Sequence, residues 1–172
     1  MTNGLGGAAG VAAAPLLAPG EPAVVDVRDV PGGPFVFLCE HASNRLPRAL
    51  GTLGLPAEAL QRHIAWDPGA AAMTLGLQEK LGGPAILQNY SRLVIDCNRE
   101  PSLPDAITAL SETTRIPGNE HLGGTVRQQR VDTIWMPFHA AIDELAEASH
   151  IRPGTMSTTR SAGTASTAAC HM

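Results

Sequence analysis

The apolar positions of the chain fall into short blocks, and their spacing changes from block to block. Residues 34–39 form an apolar run after Pro31-Gly32-Gly33 and read as a buried strand ending at Glu40-His41. Residues 56–63 suggest a short helix with Pro56 near its first turn. Residues 69–81 are rich in Ala and Leu and close on Gly82-Gly83, the pattern of a helix with a glycine stop. Two further apolar runs, 85–88 and 93–96, read as strands. Residues 101–118 carry Pro101, Pro104 and Pro117 with little periodicity and read as an extended loop. From 125 to 148, Val126, Ile134, Phe138, Ile142 and Leu145 recur at helical spacing and predict the longest helix.

Strand, helix, strand alternation predicts an α/β layer architecture, in which polar residues at strand ends fall where such sheets place their sites. Three zones are expected. Residues 1–22, rich in Gly and Ala, read as a mobile N-terminal arm; 23–149 read as the globular part; 150–172, mostly Ser, Thr, Ala and Gly, read as a disordered low-complexity tail. No internal repeat is visible.

Composition narrows the class. With 172 residues and 44% hydrophobic, the chain suffices for one domain with a core. Aromatics are 3%, so that core must rest on Leu, Ile, Val and Ala. The net charge of -4 comes without any basic tract, which argues against nucleic acid as a partner. Cys39, Cys97 and Cys170 are odd in number and widely spaced, so a reducing, cytoplasmic setting fits better than a disulfide scaffold. No apolar run is long enough to span a bilayer, and the first residues lack the basic start of a signal peptide.

Three segments could carry chemistry. In Cys39-Glu40-His41-Ala42-Ser43-Asn44-Arg45, a histidine leaves the end of a buried strand among small residues, which suits a metal ligand and equally a loop histidine bonded to backbone. In His63-Ile64-Ala65-Trp66-Asp67-Pro68-Gly69, Asp67 is either the N-cap of the following helix, with Pro68 in its first position, or a carboxylate that completes a site with His41. Trp66 reads as a wall residue and His63 as structural. In Tyr90-Ser91-Arg92-Leu93-Val94-Ile95-Asp96-Cys97-Asn98-Arg99, two arginines flank an apolar run and an Asn-Arg pair follows it. Guanidinium binds a carboxylate through two parallel bonds, so this segment suits a substrate with a carboxylate near its scissile amide. A buried Asp96–Arg salt bridge would use the same residues structurally. His121 and His139 receive no role, and Cys39 and Cys97 read as small buried hydrophobes.

Taken in order, CEHASNRLP, HIAWDPGA, LQNYSRLVIDCNREPS, IPGN and FHAAID resemble the N-formylglutamate amidohydrolase family. The resemblance implies a mixed-sheet, three-layer α/β fold like that of zinc-dependent hydrolases. It also implies hydrolysis of the formyl amide of N-formyl-L-glutamate, or a related N-acyl amino acid, to formate and glutamate, a step of histidine degradation. The implied cofactor is Zn²⁺ or another divalent metal, and the implied partner is a small N-acyl amino acid, without nucleic acid or membrane. By the same resemblance His41 is a metal ligand and Asp67 a second candidate. Asn98 and Arg99 hold the substrate carboxylate, and Arg92 polarises the scissile carbonyl. Related deacylases use His-x-x-Glu for two ligands; here that spacing gives His41 and Asn44, so the carboxylate must come from elsewhere. Family members continue beyond the long helix, whereas this chain changes character near His150. The reading therefore carries an expectation of truncation after the N-terminal half. The alternatives are an inactive remnant, a carboxylate-ligand binding module, or a subunit completed by another chain.

Overall fold

The computed structural model describes residues 14–148. Its centre is a mixed three-stranded sheet of β1 (Val25–Arg28), β2 (Phe37–Cys39) and β3 (Ala85–Gln88), in the order β1-β3-β2. β3 runs parallel to β2, with Leu38 opposite Ile86, and antiparallel to β1, with Val27 opposite Ile86. A parallel pair needs a crossover, and α1 (Ala70–Leu81) supplies it.

Strand alternation sorts the core into two layers. Phe37, Cys39, Ala85 and Leu87 face α1 and pack with Ala70. Leu38 and Ile86 face the other way and pack with Val94, Ile95, Ile134 and Phe138. The last two come from a long C-terminal helix made of α2 (Gly124–Arg130), a π-helical turn (Val131–Trp135) and α3 (Met136–Ala148). Helices thus cover both faces of the sheet, and the architecture is α/β. A third cluster, Leu53, Leu55, Ala59, Ile64, Leu93 and Ile116, sits under the loops beside the sheet. Among the described residues no helix is long and apolar enough to cross a membrane.

α1 ends where Gly82 and Gly83 cross the connecting segment 30–35. The N–H of Gly82 returns to Gln78 O, and that of Gly83 reaches Val30 O at 2.9 Å. A Cβ on Gly83, whose φ is +105°, would collide with Phe35 O, so only glycine permits this contact.

Several expectations need correction. Residues 93–96 form no strand. Leu93, Val94 and Ile95 are all buried, but their backbone is turned, with Val94 N–H donating to Ser91 O. Side chains take the carbonyls a neighbouring strand would have used: Asn119 donates to Leu93 O at 2.8 Å and Arg130 to Val94 O at 3.0 Å. The helix expected over 56–63 is a single 3₁₀ turn, Ala59–Gln61. The loop 101–118 holds 3₁₀ turns at Pro104–Ile107 and Pro117–Asn119 and a hairpin of β4 (Leu110–Ser111) and β5 (Thr114–Arg115).

β1 was not expected at all. Of the stretch expected as a mobile arm, residues 14–22 pack on the body: Leu16 is buried in the core and the Tyr90 hydroxyl donates to Pro22 O. The rest of the arm and the expected tail lie outside the described residues.

The long helix has a local cause for its π turn. Pro137 has no N–H to offer the carbonyl four residues back, and its ring crowds that carbonyl, so the helix widens just before it.

Candidate active site

The site lies beyond the carboxyl ends of β2 and β3, where α/β sheets open. Two residues past β2, His41 is buried between two carboxylates. Its Nδ1 stands 3.2 Å from Asp67 Oδ2 and its Nε2 2.8 Å from Asp96 Oδ1. Asp67 reaches it because the segment before α1 is tied to the strand end by Asp67 N–H to His41 O. The helix itself begins at Ala70 behind Gly69, without a side-chain cap. Asp67 is thus not the N-cap of this helix, and its carboxylate faces His41.

Arg92 closes the cluster from the solvent side. It donates to Asp96 Oδ2 at 2.7 Å and lies 3.7 Å from Asp67 Oδ1. Two carboxylates thus face one imidazole and one guanidinium, each oxygen aimed at a cation or an N–H. Asp96 also accepts the Asn98 N–H at 3.0 Å. It is the hub of the group, where the sequence alone points only to a salt bridge that pins a strand. A buried carboxylate inside an apolar run was the available signal, because such a group is found inside only when paired.

Electrostatics follow from this packing. Burial works against a charge on His41, but its bonds to Asp67 and Asp96 outweigh it and raise its pKa from 6.5 to about 9. Burial likewise opposes ionisation of Asp96, yet the bond to His41, the His41 and Arg92 charges and the Asn98 N–H hold it well below the usual carboxylate range. A raised folded-state pKa stabilises the fold below the unfolded value and loses that effect as pH rises through the folded value. The metal-free protein is therefore expected to lose stability between about pH 6.5 and about pH 9 through His41. Urea unfolding across that range, with His41→Gln as the control, checks this. A slope that persists unchanged in the variant would assign it to other groups.

An open cleft of about 250 Å³ lies in front of Arg92 and Asp96. Arg99, Asp105 and Ile64 line it, and Leu110, Ser111 and Glu112 of the hairpin form its far wall. The exposed Arg99 guanidinium binds Asp105 at 2.8 Å and stands 3.9 Å from Asp96. The cleft thus brings Arg92 and Arg99 together. Asn98 is half-buried and is not among the lining residues, so only its backbone is tied to the site. Glu112 at the hairpin tip is held by His63 at 2.9 Å and Arg62 at 3.1 Å, so His63 anchors the wall from the surface. Asn44 donates to Leu60 O and braces the 3₁₀ turn there. Cys97 is buried and its thiol pushed well up by that burial, so it is no nucleophile at neutral pH.

As donors for an ion, Nδ1 of His41 and Asp67 face each other. Nε2 of His41 is taken by a carboxylate, the usual arrangement around a ligating imidazole. These two residues suit part of a metal site. They do not complete one: among the described residues no group of three His, Cys, Asp or Glu could hold an ion.

The model of the N-formylglutamate amidohydrolase family matches residues 33–161 of the 172. The chain belongs to this family. The matched stretch includes the whole His41–Asp67–Arg92–Asp96 group and the cleft. Among solved structures, the chain is similar to the gene product Atu2144 from Agrobacterium tumefaciens, with 40% identity and a TM-score of 0.75. That likeness covers 78% of this chain and 54% of the other, so the chain spans about half of that protein's length. No curated protein matches it.

Proposed function

We propose that the site grips an N-acyl amino acid and positions its amide for hydrolysis, with N-formyl-L-glutamate as substrate and formate and L-glutamate as products. The observation that supports this best is the meeting of two guanidinium groups, Arg92 and Arg99, on one open cleft before the buried His41–Asp67 pair. In this reading Arg99 pairs with the substrate carboxylate through its planar fork, and Asn98, whose N–H is held by Asp96, sets the loop that carries it. Arg92, fixed by Asp96, donates to the amide oxygen as negative charge develops there. Zn²⁺, or another divalent metal, would be held by His41 and Asp67 with donors from outside the described residues. The chemistry such an ion would supply there is Lewis-acid polarisation of the carbonyl and activation of water at neutral pH. The reading extends to a mixed-sheet zinc-hydrolase-like fold for the complete unit and to work in the cytoplasm.

A second reading, a module that binds the carboxylate ligand without turning it over, draws on the incomplete donor set among the described residues. Formate release with added Zn²⁺, alongside elemental analysis, separates the two. The 172-residue chain alone is expected to release little or no formate. Joined to a family-like second half, it is expected to bind stoichiometric zinc, to lose it in His41→Ala, and to turn over. In that active form Arg99→Lys should raise KM roughly tenfold, as a charge-assisted bond is lost. An unchanged KM removes Arg99 from the reading, and robust turnover by the short chain removes the binding-module alternative.

A further inference from the structure

The long C-terminal helix reaches the Asn98–Arg99 loop through two ring side chains. Trp135 donates its indole N–H to Arg99 O at 2.9 Å. One turn on, His139 Nε2 stands 3.0 Å from Cys97 O. A carbonyl only accepts, so that nitrogen carries the proton. The two rings stack with centroids 3.7 Å apart and 26° between their planes, and Phe138 meets His139 edge-on from the core side. Each ring therefore fixes the other, and both present an N–H to the same stretch of backbone.

The opposite side of that stretch is held as well. The N–H of Asn98 donates to Asp96 Oδ1 and the N–H of Arg99 to Asp96 O, both at 3.0 Å. The carbonyls of Cys97 and Arg99 are thus held by the helix, and the N–H groups of Asn98 and Arg99 by Asp96. The Arg99 side chain, by contrast, is half exposed and anchored only at its tip, to Asp105 and more distantly to Asp96. A flexible arginine can present its fork in one direction only if its Cα is fixed, because small displacements of a binding group are costly. Water could serve these two carbonyls; a stacked Trp–His pair adds a fixed orientation that water does not.

We propose that Trp135 and His139 are positioning residues that set the backbone of the Asn98–Arg99 loop and so aim the Arg99 guanidinium at the carboxylate of a ligand in the cleft. This rests on the reading of Arg99 as the carboxylate grip. It goes beyond that reading by assigning the aim of the grip to the helix.

The test measures N-formyl-L-glutamate binding to the 172-residue chain by calorimetry, with amide hydrogen exchange at Asn98 and Arg99 as a second readout. Trp135→Phe keeps an aromatic ring and loses the donor; His139→Leu fills the space and loses the donor; His139→Gln keeps an N–H. The first two are expected to weaken binding roughly fivefold each, the effect of one lost hydrogen bond, and to speed exchange at both amides. His139→Gln is expected to restore binding to within about twofold, which a packing role alone would not predict.

Arg99→Lys controls the reading beneath. If it weakens binding while Trp135→Phe and His139→Leu leave binding and exchange unchanged, the positioning role is overturned and the grip stands. If Arg99→Lys has no effect, or the unsubstituted chain shows no saturable binding, the grip falls and the positioning role with it.

Discussion

Replacing His41 by Ala is expected to destabilise the fold by about 3–5 kcal/mol, the range for removing one partner from a buried ion pair. The reason is geometric. Asp67 and Asp96 are both buried, and the imidazole between them is 3.2 Å from one and 2.8 Å from the other. Without it, Arg92 remains as the shared cation, with a tight bond to Asp96 and a looser 3.7 Å approach to Asp67. Both buried carboxylates would lose their imidazole partner at once. The same argument gives a rescue: His41→Ala combined with Asp67→Asn should recover much of the loss, because the second change removes one of the two buried charges that lost the imidazole. Urea unfolding of both proteins measures it. A single variant close to the parent in stability, or a double variant worse than the single, would mean that the cluster does not hold the charges assigned to it.

Arg130 is expected to give the other large effect. Its side chain is fully buried and has no carboxylate beside it among its hydrogen-bond partners. Nη1 donates to Val94 O at 3.0 Å and Asn119 Oδ1 at 2.7 Å, and Nη2 to Gly118 O at 3.3 Å. Burial, with help from the nearby Arg127 charge, lowers its pKa to about 10, so it stays cationic at neutral pH. Arg130→Leu strands three acceptors in the interior and should cost about 3 kcal/mol or more. For a domain of this size that lowers the melting temperature by roughly 10 °C. Arg130→Lys should restore only part, since a single ammonium cannot reach the three acceptors from a planar fork. Calorimetry checks both, and a fall of under about 2 °C for Arg130→Leu would contradict the assignment.

These two residues also show where a sequence is legible and where it stops. The strand at 85–88, the helix at 69–81 and the strand leading to His41 were readable because each has one dominant pattern and a clear stop. The run 93–96 misled for a physical reason. Its side chains are as buried as a strand's, but its carbonyls are satisfied by Asn119 and Arg130, which lie 26 and 36 residues away. No local pattern encodes a partner at that distance. β1 escaped notice because it is an edge strand, with Val27 exposed and Asp26 and Arg28 paired to each other. At the site, the residue types at His41, Asp67, Arg92 and Arg99 suggested polar chemistry. That Asp96 ties three of them together, and that Arg99 leans on Asp105, depends on tertiary placement alone.

The π turn makes the length of the C-terminal helix matter as well as its side chains. Arg130, Ile134 and Phe138 are buried at intervals of four, a pitch that an ordinary α-helix does not hold in line. The wider turn lets that row stay on one side while Trp135 and His139 follow beside it. Taking out one residue here would tighten the turn and swing everything after it by about 100° around the axis. A one-residue deletion between Val131 and Trp135 would therefore dial α3 to the wrong face, a change that no single substitution on the exposed side of the helix produces. In descendants of this chain, gaps should be rarer in that turn than in the surface hairpin that walls the cleft.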